Sequence, residues 1–186
     1  MSGSGPDAAG PAGLGQPARV PRGLVVTVSN RAAAGVYADT AGPLLVEGLR
    51  ELGLQVDGPR VVPDGEPVRE VLAAAVSSAY DVVVTTGGTG LTPTDRTPEM
   101  TRPLLEREVP GIAEAIRARG VASGVPTAML SRGLAGLAGA TLVVNLPGSP
   151  GACRDGLAVL AGVLSHAMDQ VRGGDHRRVE DPGSGR

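Results

Sequence analysis

The feature that most constrains this chain is an alternation of short, β-branched apolar runs with stretches of helical period. Residues 24–29, 56–62, 81–86 and 141–145 predict buried strands. Between them, Leu44, Leu45, Leu49 and Leu52 share one face of a helix over 40–53, which Gly53 ends. Val68, Val71, Leu72 and Ala75 mark a second helical face, and Ile112 and Ile116 a third within 110–119. Thr97-Pro98 predicts an N-cap followed by proline at the first helical position. Ser149-Pro150 repeats that signature before a long helix bearing Leu157, Leu160, Leu164, Met168 and Val171 on one face. Residues 127–139 suit a short helix or a strand equally. Such alternation predicts an α/β fold with a mostly parallel sheet covered on both faces.

The apolar pattern stops at both ends. Residues 1–20 are Gly, Ala, Pro and Ser with little to bury, and are expected to be disordered. Residues 173–186 predict a second flexible tail. One domain over 21–172 remains, with no internal repeat. The chain has two Tyr, no Phe and no Trp, so its core is expected to be Val, Leu, Ile, Ala and Met. A net charge of -2 and this lack of aromatic rings speak against nucleic acid as a partner. All 17 basic residues are arginine. Without lysine there is no P-loop and no Schiff-base chemistry. Any bound phosphate must be met by arginine, backbone N–H groups or a metal. A single cysteine, Cys153, allows no intrachain disulfide, which suits a cytoplasmic location. No apolar run reaches the length of about 18 residues read as a membrane span, and the N-terminus lacks the pattern of a secretory signal.

In open parallel sheets, ligands sit beyond the carboxyl ends of the strands. Candidate site residues therefore lie in the four loops expected there. The first loop holds Asp39, which is equally suited to capping the next helix. The second holds Asp64, inside the turn signature Pro63-Asp64-Gly65. The third opens with Thr86-Gly87-Gly88-Thr89-Gly90, whose amides could face a phosphate. In a chain with 29 glycines that pattern is expected about once by chance, so the glycines alone carry little. Asp95 and Arg96 follow; a carboxylate beside a phosphate loop suits Mg²⁺, and an arginine suits phosphate. The fourth loop is Pro147-Gly148-Ser149, a possible second anion site at a helix start. Ser131 and Arg132 are polar between apolar stretches. With two His and one Cys, no zinc site is visible.

Five segments in order resemble the MoaB/Mog family of molybdenum-cofactor biosynthesis. They are Val28-Ser29-Asn30-Arg31 with Gly35-Val36-Tyr37-Ala38-Asp39; Val62-Pro63-Asp64; Thr85-Thr86-Gly87-Gly88-Thr89-Gly90 with Asp95 and Thr97-Pro98-Glu99; residues 126–132; and residues 144–149. The resemblance spans about residues 23–171. One departure stands out: the first motif usually reads Ser-Asp-Arg, and here Asn30 replaces the aspartate. The resemblance implies a three-layer α/β/α molybdopterin-binding fold and a homotrimer. It implies Mg²⁺-dependent transfer of AMP from ATP to molybdopterin, releasing pyrophosphate. The acidic pair falls on Asp64 and Asp95, as metal ligands or orienters, and the pterin-side serine on Ser131. Phosphate would meet the Gly87–Gly90 amides, Arg96 and Arg132. Two alternatives stay open on the same fold: a non-catalytic molybdopterin carrier, and the molybdate-insertion step, to whose protein the product would otherwise be handed.

Overall fold

The computed structural model describes residues 19–173. The expected tails fall almost wholly outside the described residues. The strands are β1 (Arg22–Val28), β2 (Gln55–Val62), β3 (Val82–Thr86), β4 (Arg107–Glu108), β5 (Ala135–Ala138) and β6 (Thr141–Leu146). The helices are α1 (Asn30–Ala33), α2 (Ala41–Glu51), α3 (Glu66–Ser77), α4 (Thr97–Thr101), α5 (Pro110–Ala122) and α6 (Pro150–Val171).

The six strands form one sheet in the order β2-β1-β3-β6-β5-β4. The four strands expected from the apolar runs are parallel to one another. The ambiguous stretch 127–139 resolves into both of its options. A short 3-10 turn, Pro126–Leu130, precedes β5, which pairs antiparallel with β6. Strand β4 adds a two-residue antiparallel edge.

Side-chain alternation along the strands divides the core. Val82, Val84 and Val144 face a cluster with Leu45 and Leu49 of α2, Ile112 and Ile116 of α5, and Leu160 and Leu164 of α6. Val83 and Val143 face the opposite side, with Val68 and Leu72 of α3 and with Tyr80. The sheet is therefore the middle of three layers. Each wholly buried leucine, such as Leu45 or Leu160, contributes about 1.5–3 kcal/mol of transfer free energy. The register of the helices differs slightly from the expected faces: Leu44, Leu52, Leu157 and Val71 are only partly buried and pack on the rims.

Chain direction sets where a ligand can enter. From β1 the chain passes through α2 to β2 on one side, then returns through α3 to β3 on the other. The loops after β1 and β3 thus leave the sheet in diverging directions, which opens a crevice between them.

Candidate active site

A cleft of about 1020 Å³ occupies that crevice. All four strand-end loops line it, joined by the wall formed by α5 and the turn after it. Its volume lies at the top of the range of ligand pockets, roughly 300–1,000 Å³.

The glycine loop is built against the strand beside it. Gly87 has φ +104°, and a Cβ there would lie 2.1 Å from the Val28 carbonyl oxygen, so only glycine fits. Its N–H donates to the Leu146 carbonyl at 3.0 Å. That spends the Gly87 amide on structure, contrary to its expected place in a phosphate cradle. The N–H groups of Gly88, Thr89 and Gly90 donate to no group among the described residues. Gly148 packs against this loop, where its Cβ would lie 3.3 Å from the Gly87 Cα. The Thr86 hydroxyl donates to the Pro147 carbonyl at 2.9 Å, tying the third and fourth loops together. Ser149 caps α6, its hydroxyl accepting from the Ala152 N–H at 3.2 Å. The result is a short row of unspent backbone N–H groups at Gly88–Gly90, braced by the fourth loop.

Two carboxylates border that row. Asp64 Oδ1 accepts from the Gly65 N–H at 2.8 Å and the Arg96 N–H at 2.9 Å. Its Oδ2 receives no hydrogen bond from the described residues and faces Gly88. Burial pushes the Asp64 carboxyl above its ordinary value. The two backbone N–H bonds oppose that rise, and the nearby charges of Asp95 and Glu99 add to it. The Asp64 N–H donates to Asn30 Oδ1 at 3.0 Å, so the residue that departs from the family motif anchors this loop without needing charge. Asp95 Oδ2 accepts from the Thr92 N–H at 3.0 Å and the Thr92 hydroxyl at 2.7 Å. Its Oδ1 takes no hydrogen bond from the described residues. Each carboxylate thus holds one oxygen in place and leaves the other open.

The other expected residues divide. Ser131 lines the cleft, its hydroxyl donating to Thr89 Oγ1 at 3.2 Å. Asp39 also lines it, but its oxygens are engaged. Oδ1 accepts from the N–H groups of Ala41 and Gly42, and Oδ2 from the Thr27 hydroxyl at 2.6 Å. The capping alternative therefore describes Asp39. Arg96 and Arg132 do not line the cleft. Arg96 serves through its backbone N–H and sits at the N-cap of α4. That corrects the expected capping by Thr97, which is already helical and whose hydroxyl donates to the Gly87 carbonyl at 3.0 Å. Arg132 braces the glycine loop from behind: Nε donates to the Gly90 carbonyl at 2.7 Å and Nη2 to the Asp95 carbonyl at 2.6 Å. Its remaining nitrogen pairs with Glu99.

The arginines that do line the cleft are Arg31, Arg117 and Arg154. None of the three was a sequence candidate: Arg31 stands in the first motif but was not singled out, and Arg117 and Arg154 lie inside helices outside the motifs. Arg117 donates to the Ser131 and Gly133 carbonyls. Arg154 makes no ion pair with the described residues, while its neighbour Asp155 is held by Arg119 of α5 and by Ser123 just past that helix. Cys153 is fully buried against Thr86, and burial raises its thiol, so it is a packed side chain.

With this geometry in view, the likenesses to other proteins become specific. Residues 24–166 match the family described as probable molybdopterin binding domain. The chain belongs to this family. The chain is similar to a molybdopterin adenylyltransferase of Pyrococcus furiosus, 37 % identical over 153 residues that cover 80 % of this chain and 89 % of that protein. A molybdenum cofactor biosynthesis bifunctional protein of Chlorobaculum tepidum is 37 % identical over 158 residues, 84 % of this chain. This chain spans about half of that longer relative (50 %). Among solved structures, the molybdopterin biosynthesis Mog protein of Mycobacterium ulcerans superposes with a TM-score of 0.78 at 50 % identity. The match covers 81 % of this chain and 99 % of that one. The fold is thus that of the MoaB/Mog proteins, and the biosynthesis of molybdenum cofactor is the setting family membership provides. No helix among the described residues is long and apolar enough to cross a membrane.

Proposed function

We propose that this protein is a molybdopterin adenylyltransferase that transfers AMP from ATP to the phosphate of molybdopterin and releases pyrophosphate. One observation carries the reading: two carboxylates, each with one open oxygen, flank a row of unspent backbone N–H groups in a single cleft. The molybdopterin phosphate oxygen attacks the α-phosphorus, a P–O bond forms, and the bond to the pyrophosphate oxygen breaks. Several negative charges meet in that step, so catalysis rests on positioning and neutralisation. The N–H groups of Gly88, Thr89 and Gly90 hold phosphate oxygens. Arg154 and Arg31, which also line the cleft, supply positive charge.

The open oxygens of Asp64 and Asp95 fit Mg²⁺, a hard cation that takes one or two carboxylates together with phosphate oxygens. No group of three or more His, Cys, Asp or Glu able to hold a metal occurs among the described residues, so substrate phosphates would complete any such site. When bound, Mg²⁺ supplies charge neutralisation at the phosphates.

The test is incubation of the purified protein with molybdopterin, ATP and Mg²⁺, with pyrophosphate as readout. Molybdopterin-dependent release is expected. Tight binding of molybdopterin without release would instead assign the chain a carrier role.

A further inference from the structure

Tyr37 is one of the two aromatic side chains in the whole chain. The other, Tyr80, is buried in the core beneath α3. Tyr37 is 48 % exposed, packs in neither core cluster, and lines the cleft. An exposed ring with no packing role is normally free to turn. This one is held at two points. Its hydroxyl lies 2.8 Å from Ser29 Oγ, and Ser29 is itself fixed as the cap of α1. The Arg31 guanidinium carbon stands 5.1 Å from the ring centroid, covering one face. A pre-oriented, half-exposed ring at the cleft wall, with a cation on one face, is a stacking platform.

We propose that Tyr37, backed by Arg31, is the wall on which a planar nitrogen heterocycle of a substrate stacks. The assignment rests on the adenylyl-transfer reading, which places phosphate at Gly88–Gly90 and leaves the heterocycle to be held elsewhere in the cleft. Adenine and the pterin share the required chemistry: both present the face of a nitrogen heterocycle, whose stacking on an aromatic side chain tolerates differences in hydrogen-bond pattern. Tyr37 is a binding residue here. The anion row does its work without it.

Equilibrium dialysis of the full chain with three probes separates the possibilities: ATP, the soluble pterin neopterin, and inorganic tripolyphosphate, which has no heterocycle. Tyr37→Leu is expected to weaken ATP or neopterin about tenfold, in the range of stacking losses on aromatic removal. Which probe weakens names the source of the heterocycle. Tripolyphosphate affinity should be unchanged, and Tyr37→Phe should restore the heterocycle, because the ring remains. Wild-type affinity of Tyr37→Leu for both heterocycles overturns the inference. So does a parallel loss of tripolyphosphate, which would mark a disturbed cleft rather than a lost platform, or failure of both heterocycles to bind the unaltered protein. If stacking is demonstrated and no pyrophosphate is released in the transfer assay, the platform stands and the adenylyl-transfer reading falls.

Discussion

The Asp64 carboxylate lies directly over the backbone of Gly88: a Cβ at residue 88 would sit 2.2 Å from Asp64 Oδ2 and 2.2 Å from Thr97 Oγ1. The second loop thus closes on the third only because residue 88 has no side chain. Gly88 also has φ +63°, a conformation that costs other L-residues about 1–2 kcal/mol. Gly88→Ala should therefore do more than strain the turn. It must push the open oxygen of Asp64 away from the N–H row. We expect turnover to fall about 100-fold, since an ångström of misplacement has that effect. Thermal unfolding should report a drop of at least the backbone strain, since the buried Thr97 hydroxyl must also give way.

Asp64 predicts an opposite relation between stability and activity. Burial raises its folded pKa above the ordinary aspartate value of 3.8. The folded state therefore binds this proton more tightly than the unfolded chain does. Stability is greatest below 3.8 and falls as pH rises from there through the raised value. Asp64→Asn should accordingly melt at a higher temperature than the unaltered protein at neutral pH, with the difference vanishing in acid. Turnover should be lost in the same variant. Scanning calorimetry between acid and neutral pH, beside a pyrophosphate assay, checks both.

Asp81 shows the reverse sign. Burial pushes its carboxyl up, but the Arg22 N–H, Arg172 and Arg19 outweigh it and hold the pKa below the ordinary value. Its side chain is 10 % exposed, and it joins residues from both ends of the described chain. The stability it confers is full above pH 3.8 and is lost as pH falls through the lowered folded pKa. Asp81→Ala should lower unfolding stability by about 1–3 kcal/mol at pH 7, as expected for hydrogen bonds to a charged group. Denaturant titration at neutral and acid pH should show that loss shrinking in acid. The site lies at the opposite edge of the sheet, so substrate affinity should not change.

Arg132 separates bracing from binding. Its guanidinium spans Gly90, Asp95 and Glu99 from behind the loop. Arg132→Ala should lower kcat with little change in the salt dependence of the KM for ATP, because no phosphate contact is lost. Arg132→Lys should rescue poorly, since one ammonium cannot reproduce the planar fork. A pronounced flattening of the salt dependence would place this arginine on substrate instead.

Much of this architecture was legible in the residues. The runs around Val82 and Val143 are apolar on both faces, so only buried parallel strands suit them, and the ligand edge follows from that topology. What the sequence concealed is short-range or long-armed. Asn30 begins a four-residue helix too brief for any period to show. Strand β4 consists of two exposed residues, Arg107 and Glu108. Arg132 stands in a motif segment, yet its guanidinium is taken up by the Gly90 and Asp95 carbonyls and by Glu99, and Arg96 contributes its backbone N–H. Arg154 reaches the cleft because the first turns of α6 pass it, a fact of packing that spacing along the chain does not carry. Asp39 shows a third case: its capping geometry and its place in the cleft are both real, and sequence alone offered them as alternatives.

The central claim is that the open oxygens of Asp64 and Asp95 work together on phosphate. Pyrophosphate release from ATP, measured with molybdopterin and Mg²⁺ for the unaltered protein, Asp64→Ala and Asp95→Ala, tests it most directly. The account predicts molybdopterin-dependent release by the unaltered protein and a loss of at least about 100-fold in either variant, with both variants still folded. Near-normal release by both variants would contradict it.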